Sequence, residues 1–489
     1  MYSLDAQSRG VLTVSPVQMI STSLPIKLDG DCAIVAQLEM QTKQLIESGQ
    51  LRAGMRMPSV RQLAHDLGIS TFTVVAAYDR LISANLLTSR RGSGYFVAEP
   101  KLDHLADPEL LTGDAMDSVW LFAALRKQAG AIKAGAGVLP PEWFDDAGLK
   151  RCARAALRQS GTTFSEYPSP LGYRPLRDLL ALKLIDLGIA AQADQILLTS
   201  GASHALDLTL RTILRRSDSV LIEEPGYYTL YAYLRKENIP FATVPRLQAG
   251  LDLEALERAV QEHRPKALFV NSILHNPTGS TLTTVNAHKI LSIAERYDML
   301  VIEDDLYGDF HEGRPLRLAS LDSLSSVVYI SSFSKTLAAS LRIGFMAASA
   351  ELVQRVAARK LLTHLATPEI NERIVTEFLA SGAYRRQLDR MRSRLSAART
   401  RVLARLDSLG LEVPTVPEGG FFLWARAASG CCTRRLAAAA IDHGLILAPG
   451  SIFSPHETTS DWLRLNVAQC DSAKFEQRMA QSLAAASGS

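Results

Sequence analysis

Lys335 closes the stretch Tyr329-Ile-Ser-Ser-Phe-Ser-Lys, directly after an apolar β-type run, Val327-Val328-Tyr329-Ile330. A lysine delivered by a buried strand loses the hydration that favours its charged form. Its amine then titrates low and becomes nucleophilic, able to condense with a carbonyl. Ser332 stands three residues before it and Arg342 seven after it, both available to an anionic group. Alone, Ser-x-x-Lys after a strand is a common surface pattern, so neighbouring strands have to give it meaning.

Four further aliphatic runs end in polar residues of a useful kind. Gln195-Ile-Leu-Leu ends in Thr199-Ser-Gly-Ala-Ser203 and enters a helical period; such a glycine turn exposes backbone N–H groups to an anion. Ser219-Val-Leu-Ile ends in Glu223-Glu-Pro-Gly-Tyr227, whose tyrosine could stack on a planar ring. Ala267-Leu-Phe-Val-Asn-Ser leads to His275-Asn276-Pro-Thr-Gly, a turn carrying an amide donor. Met299-Leu-Val-Ile ends in Glu303-Asp304-Asp305-Leu-Tyr307. Three adjacent carboxylates after a buried strand are costly unless a cation compensates them. No histidine or further carboxylate is spaced to complete a metal site, so a protonated ring nitrogen suits them better.

The elements that must position these residues follow from the period of the chain. From about residue 170, helical periods alternate with short aliphatic runs, the pattern of an α/β domain with a mainly parallel sheet. Ligands in such sheets lie outside the carboxyl ends of the strands, where all five polar motifs fall. At 489 residues the chain should hold two or more domains, taking roughly 150 residues per domain as a guide. Hydrophobic content of 47% is globular, and no apolar run is long enough to span a bilayer. The N-terminus lacks a basic region followed by an apolar core, so a cytoplasmic location is expected. Five scattered cysteines suggest neither a disulfide framework nor a metal site.

Residues 1–30 have no clear periodicity and read as an N-terminal extension. Ile34, Leu38 and Leu45 then share a helical face; Val60, Leu63, Ala64 and Leu67 make a second helix; Gly68 ends it. Ser70 caps a third helix that turns Val74, Tyr78 and Leu81 inward. Two short β-type segments around a basic Gly-Ser-Gly turn complete a winged hairpin, Thr88 to Val97. Residues 31–98 carry seven Lys/Arg against five Asp/Glu, a net of +2, so tight DNA binding would need two copies. The run Gly54-Met-Arg-Met-Pro-Ser-Val-Arg-Gln-Leu-Ala-His-Asp-Leu-Gly-Ile-Ser70, with Arg91-Gly-Ser-Gly-Tyr-Phe-Val97, resembles the GntR family of winged helix-turn-helix repressors. The resemblance implies that Arg61, Ser70, Thr71, Thr73 and the wing arginines Arg90 and Arg91 face operator DNA. Family members usually carry an arginine directly after the serine; here Thr71-Phe72 stands there, so base readout should differ.

A polar stretch with Pro100 and Pro108 reads as a linker, 99–117, with the boundary near 112. In the remainder, 118–489, the ordered set of glycine turn, Pro-x-Tyr, Asn-Pro-x-Gly, Asp-x-x-Tyr, Ser-x-x-Lys and arginine resembles fold-type I, aspartate-aminotransferase-like enzymes over about residues 125–480. That implies pyridoxal 5'-phosphate as cofactor, with Lys335 as its internal aldimine. Asp304 would face the pyridine nitrogen, Asp305 being the alternative that the spacing to Tyr307 disfavours. Tyr307 and Asn276 would meet the ring hydroxyl, and Tyr227 would stack on the ring. Ala202, Ser203, Ser332 and Arg342 would hold the phosphate. Tyr167, in Tyr-Pro-Ser-Pro-Leu-Gly172, matches the tyrosine that reaches a neighbouring subunit's phosphate, which implies a head-to-tail homodimer. Arg464, in Trp462-Leu-Arg-Leu-Asn-Val, would grip a substrate or effector carboxylate, as a planar guanidinium does well. Pro417-Glu-Gly-Gly-Phe-Phe-Leu and Ala448-Pro-Gly-Ser-Ile-Phe fit the small C-terminal subdomain. Ala339-Ser340 replace the Pro-Gly or Pro-Asn of relatives, which would loosen the turn but keep Arg342.

The two halves together resemble the MocR subfamily of GntR regulators. The implied function is a bacterial, cytoplasmic transcription factor that senses an amine or amino acid through aldimine chemistry at Lys335. The rival reading is an active aminotransferase that carries a DNA-binding module.

Overall fold

The computed structural model describes residues 24–26, 28, 33–47, 50–51, 54–83, 86–90, 94–98, 121, 124–125, 130–159, 164–428, 430–456 and 459–487. The chain divides into two compact units, 1–111 and 112–489. The linker expected at 99–117 and the wing residue Arg91 lie outside the described residues.

The first unit holds helices α1 (Ile34–Glu47), α2 (Val60–Leu67) and α3 (Thr71–Ser83), followed by strands β1 (Leu87–Arg90) and β2 (Gly94–Val97). The Ser59 hydroxyl caps α2 by accepting from Gln62 N, and Gly68 stops the helix in the left-handed conformation at φ 65°. Ser70 Oγ accepts from Thr73 N at 3.0 Å and starts α3. β1 and β2 pair antiparallel, Leu87 opposite Val97 and Arg90 opposite Gly94. Leu38, Leu63, Val74, Tyr78, Leu81 and Leu87 fill the core. The Tyr78 hydroxyl donates to the Pro58 carbonyl at 3.0 Å, which keeps the one polar atom of that ring satisfied. Two differences from the sequence reading have packing causes. Ile34, expected inward, begins α1 where little covers it and is exposed. Leu24 and Ile26, from the stretch read as an extension, are buried in this core.

The second unit is organised by an eight-stranded sheet: β3 (Ile196–Thr199), β4 (Val220–Glu224), β5 (Phe241–Leu247), β6 (Gly250–Leu251), β7 (Ala267–Val270), β8 (Leu300–Asp304), β9 (Val327–Ser332) and β10 (Gly344–Ala347). Their order is β3-β10-β9-β8-β7-β4-β5-β6. Pairs from β9 through β5 are parallel, while β10 runs antiparallel between β9 and β3. The expected mainly parallel sheet is present. Every residue of β9 is buried, as a central strand covered by helices on both faces requires. Order reverses between β7 and β4, and the polar ends of β3, β4, β7, β8 and β9 share one edge.

A smaller sheet of order β11-β13-β12 follows, with β11 (Phe422–Arg426), β12 (Ala448–Pro449) and β13 (Trp462–Asn466). Arg464 sits on its central strand, opposite both Trp424 and Ala448. Residues 132–136 run alongside: Gly135 N donates to Ile446 O at 2.7 Å, and Asn466 N donates to Ala134 O at 2.7 Å. A Cβ at position 135 would collide with the Ala448 backbone, so only glycine permits this approach.

Candidate cofactor and ligand site

Lys335 follows β9 and its Nζ donates to the Gly137 carbonyl at 2.6 Å. Burial, aided by the positive charges of Arg464 and Arg342, pushes its amine down to about 8; Asp304 acts in the opposite direction. The sequence expectation of a lysine made nucleophilic by desolvation therefore has its physical cause in this cleft.

The three carboxylates that end β8 have separate duties. Glu303 accepts from Ser272 Oγ at 2.6 Å and from the N–H groups of Leu318 and Ala319, so it caps a short helix. Asp305 accepts from Arg317 Nε and Tyr329 OH, each at 2.7 Å, and from Gly308 N at 3.0 Å. Asp304 is buried, and its Oδ1 has no partner among the described residues. Burial first, then the charge of Asp305, pushes its carboxyl up to about 8. An orphaned, buried carboxylate oxygen calls for a cationic or N–H partner from outside the chain, which a pyridinium nitrogen supplies. Of the two aspartates weighed from sequence, Asp304 is the one with an oxygen to offer.

Asn276 and Tyr307 meet, the amide nitrogen 3.5 Å from the phenol oxygen. Asn271 ties this corner together, accepting from Asn276 N at 2.7 Å and donating to the Asp304 carbonyl at 2.8 Å. Tyr227 follows β4, with its ring 5.8 Å from Tyr228 and its phenol pushed up by burial.

The anion-binding corner forms at the start of the helix Ala202–Ile213. Gly201 adopts φ +88°, and a Cβ there would lie 2.6 Å from Arg342 Nη2. As the first N–H groups of a helix, those of Ala202 and Ser203 have no partner one turn earlier. Arg342 donates to the Ser200 carbonyl at 3.0 Å and to Ser334 Oγ at 3.3 Å. Ser332 Oγ lies 2.9 Å from Ser334 Oγ and accepts from Ser334 N. Ser334 is a residue the sequence reading passed over, although its place beside Lys335 in Ser-x-Ser-Lys was visible. The corner holds a guanidinium, two hydroxyls and a helix terminus, and none of the described ion pairs includes Arg342, which fits a phosphate.

Arg464 is almost wholly buried, 1% exposed. Its Nη1 donates to Asn276 Oδ1 at 2.8 Å and its Nη2 to the Gly135 carbonyl at 2.6 Å. Phe422 and Phe453 lie 4.4 and 4.8 Å from its Cζ. Its Nε has no partner among the described residues, and none of the described ion pairs includes it. A buried guanidinium satisfied only by neutral groups is suited to an incoming carboxylate. Gly137 lies close by: a Cβ there would stand 3.9 Å from both Lys335 Nζ and Arg464 Nη2. No motif or period in the sequence marks the segment 135–137.

Tyr167 is 83% exposed. In the first unit, Arg61, Ser70 and Thr71 are exposed and Thr73 is half-buried. Phe72, next to the position that departs from the family pattern, is 82% exposed. Arg90 ends β1. Among the described residues there is no cluster that could hold a metal ion and no helix long and apolar enough to cross a membrane.

Residues 136–481 match the family described as aminotransferase class I and II, and residues 34–97 match the bacterial regulatory proteins of the gntR family. The chain is 31% identical to the uncharacterized HTH-type transcriptional regulator YdcR of Escherichia coli, over 91% of this chain and 97% of that protein. It is 32% identical to the 2-aminoadipate transaminase of Thermus thermophilus, over 71% of this chain and 88% of the enzyme. The crystal structure of LysN, the α-aminoadipate aminotransferase of Thermus thermophilus complexed with N-(5'-phosphopyridoxyl)-L-leucine, superimposes with a TM-score of 0.69 at 28% identity, covering 75% of this chain and 95% of that one.

Proposed function

From a chain that belongs to the class I and II aminotransferase family and joins that domain to a gntR-family domain in the MocR manner, we propose a transcriptional regulator that senses an amine or amino acid at Lys335. The observation that carries the reading is one cleft that gathers Lys335, Asp304 and Arg464 and leaves Asp304 Oδ1 and Arg464 Nε without a partner among the described residues. Pyridoxal 5'-phosphate, when bound, supplies an aldehyde that condenses with primary amines and a ring that accepts electrons. Lys335 would offer it an amine that burial has brought down to about 8, so that it gives up its proton far more readily than an ordinary lysine. Asp304 Oδ1 would hold a proton at the ring nitrogen, and Asn276 and Tyr307 would orient the ring hydroxyl. Tyr227 would cover one face of the ring. Arg342, Ser332, Ser334 and the helix terminus at Ala202 and Ser203 would anchor the phosphate. Arg464 would receive the carboxylate of an amino-acid effector.

The second copy expected of such a regulator is supported by an exposed apolar set. Phe164, Tyr167, Leu361 and Leu362 are 74, 83, 45 and 86% exposed. Lys360, next to two of them, donates to the Pro170 carbonyl at 2.8 Å and so ties this helix to the Tyr167 segment. Two copies docked head to tail would cover these side chains, carry Tyr167 to the other phosphate and present two DNA-binding domains. Arg61, Ser70, Thr71, Thr73, Arg90 and Arg91 are the proposed DNA contacts, and such a protein works in the bacterial cytoplasm, where the DNA is.

Titrating amines and amino acids into the purified protein, while following the cofactor absorption and the footprint on the DNA flanking its gene, tests the proposal. A ligand that shifts the spectrum should also change the footprint; spectral change with an unaltered footprint would overturn it. The likeness to a transaminase favours a second reading, an active aminotransferase. Rapid multiple turnover on amino acids without operator binding would establish that reading instead.

A further inference from the structure

A cavity of about 390 Å³ opens beside the cofactor cleft, between the carboxyl ends of β4 and β5 and one face of the smaller sheet. That volume suits one small molecule. Its walls include Trp424 and Trp462 on one side and Glu224, Pro225, Pro245 and Leu247 on the other. None of Lys335, Asp304, Tyr307, Asn276, Arg342 or Arg464 lines it.

The two indoles stack with ring centres 5.5 Å apart and planes 8° from parallel, and both remain half-exposed. Glu224 brings the one carboxylate among the described lining residues. One of its oxygens accepts from Ser454 Oγ, and the other lies 3.9 Å from Nε2 of the largely exposed His456. No lysine or arginine among the described residues pairs with it. The other charged wall residue is Arg246, whose guanidinium is fully buried and spent on Glu223, Ser280 and the Asn271 carbonyl. Arg426 lies over Trp462, 5.7 Å from the ring centre, and is held by Glu412. The nearby positive charges thus have their own acids, and the cavity keeps one acid and two indoles.

A carboxylate with only Ser454 and the exposed His456 for partners, in a partly enclosed space walled by two indoles, selects an organic cation, through charge attraction and packing against the aromatic wall. We propose that this cavity is a second ligand site, separate from Lys335, for a small organic cation. The site does not depend on the cofactor assignment.

Choline is the probe, because its quaternary nitrogen cannot condense with an aldehyde, and 3,3-dimethylbutan-1-ol is its neutral isostere. Calorimetric titration of the full-length, cofactor-loaded protein should give saturable choline binding, with the isostere weaker by about tenfold. Glu224→Gln and Trp462→Leu should each weaken choline by about tenfold while leaving the cofactor absorption and thermal midpoint in place. Equal binding of the two probes, no choline binding, or wild-type affinity in both variants would overturn the proposal. If the cofactor band is absent while choline binds, the reading of Lys335 fails and this site stands.

Discussion

Asp304 and Asp305 are neighbours on one strand end, equally buried, and their surroundings differ completely. Asp305 has Arg317, Tyr329 and Gly308 around it. Asp304 has an oxygen with no partner among the described residues and a carboxyl pushed up to about 8. The same contrast separates two arginines. Arg246 meets Glu223, with both side chains essentially inaccessible, whereas Arg464 meets an amide and a backbone carbonyl. Burial alone does not mark function. A buried charge whose counter-charge lies in the chain maintains the fold, and one whose counter-charge is missing is a demand on a ligand.

Breaking the demanding set should have the largest effect. Lys335→Ala removes the amine that the described residues bring to the cleft, so the borohydride-reducible visible chromophore should vanish entirely; its persistence would sink the assignment. Arg464→Lys keeps the positive charge and loses the planar fork. Affinity for amino acids should fall roughly 10- to 100-fold, while amines without a carboxylate bind as before. Parallel titrations of an amino acid and its decarboxylated counterpart, read by absorption, make the comparison. Equal losses for both would mean that Arg464 shapes the cleft and does not read the carboxylate.

Much of the demanding set was legible because its members fall at the ends of aliphatic runs, where strand and function are written in adjacent residues. Lys335, Asp304, Asn276, Tyr227 and the turn at Ala202 all follow this rule. The satisfied set was not legible. Nothing near Asp305 announces that Arg317, twelve residues on, and Tyr329 will close on it. Glu223 and Arg246 belong to strands whose pairing is a tertiary fact. The contact of Gly137 with Lys335 joins positions 198 apart, with no local period to reveal it. Leu24 and Ile26 were missed for a related reason: two apolar residues without a repeat show their core only once the three helices are packed. The choice between Asp304 and Asp305 rested on spacing; hydrogen-bond accounting now supplies a physical reason for it.

The satisfied set yields the next effect in size. Asp305→Asn leaves Arg317 buried beside a neutral amide and should lower stability by about 3 kcal/mol. The cofactor chromophore should still form in the folded fraction. Denaturant unfolding followed by fluorescence and by the visible band measures both; a lost band at full stability would assign Asp305 to the cofactor.

The last effect is in the pH dependence of the cofactor-free protein, and it separates the two demanding charges by sign. Lys335 is shifted down from 10.5 to about 8, so between these values the unfolded chain binds the extra proton and stability rises with pH. Asp304 is shifted up from 3.8 to about 8, so over that range the folded chain binds the extra proton and stability falls as pH rises. The two contributions meet in a minimum near pH 8. Asp304→Asn should remove the falling limb below the minimum. It should also let the Lys335 amine drop further, because Asp304 is the neighbour that holds it up. The rate of cofactor capture by the emptied protein should then reach half its maximum at a lower pH in the variant than in the parent. If the falling limb survives in Asp304→Asn, the orphaned oxygen is satisfied in solution, and the contrast between the two aspartates collapses.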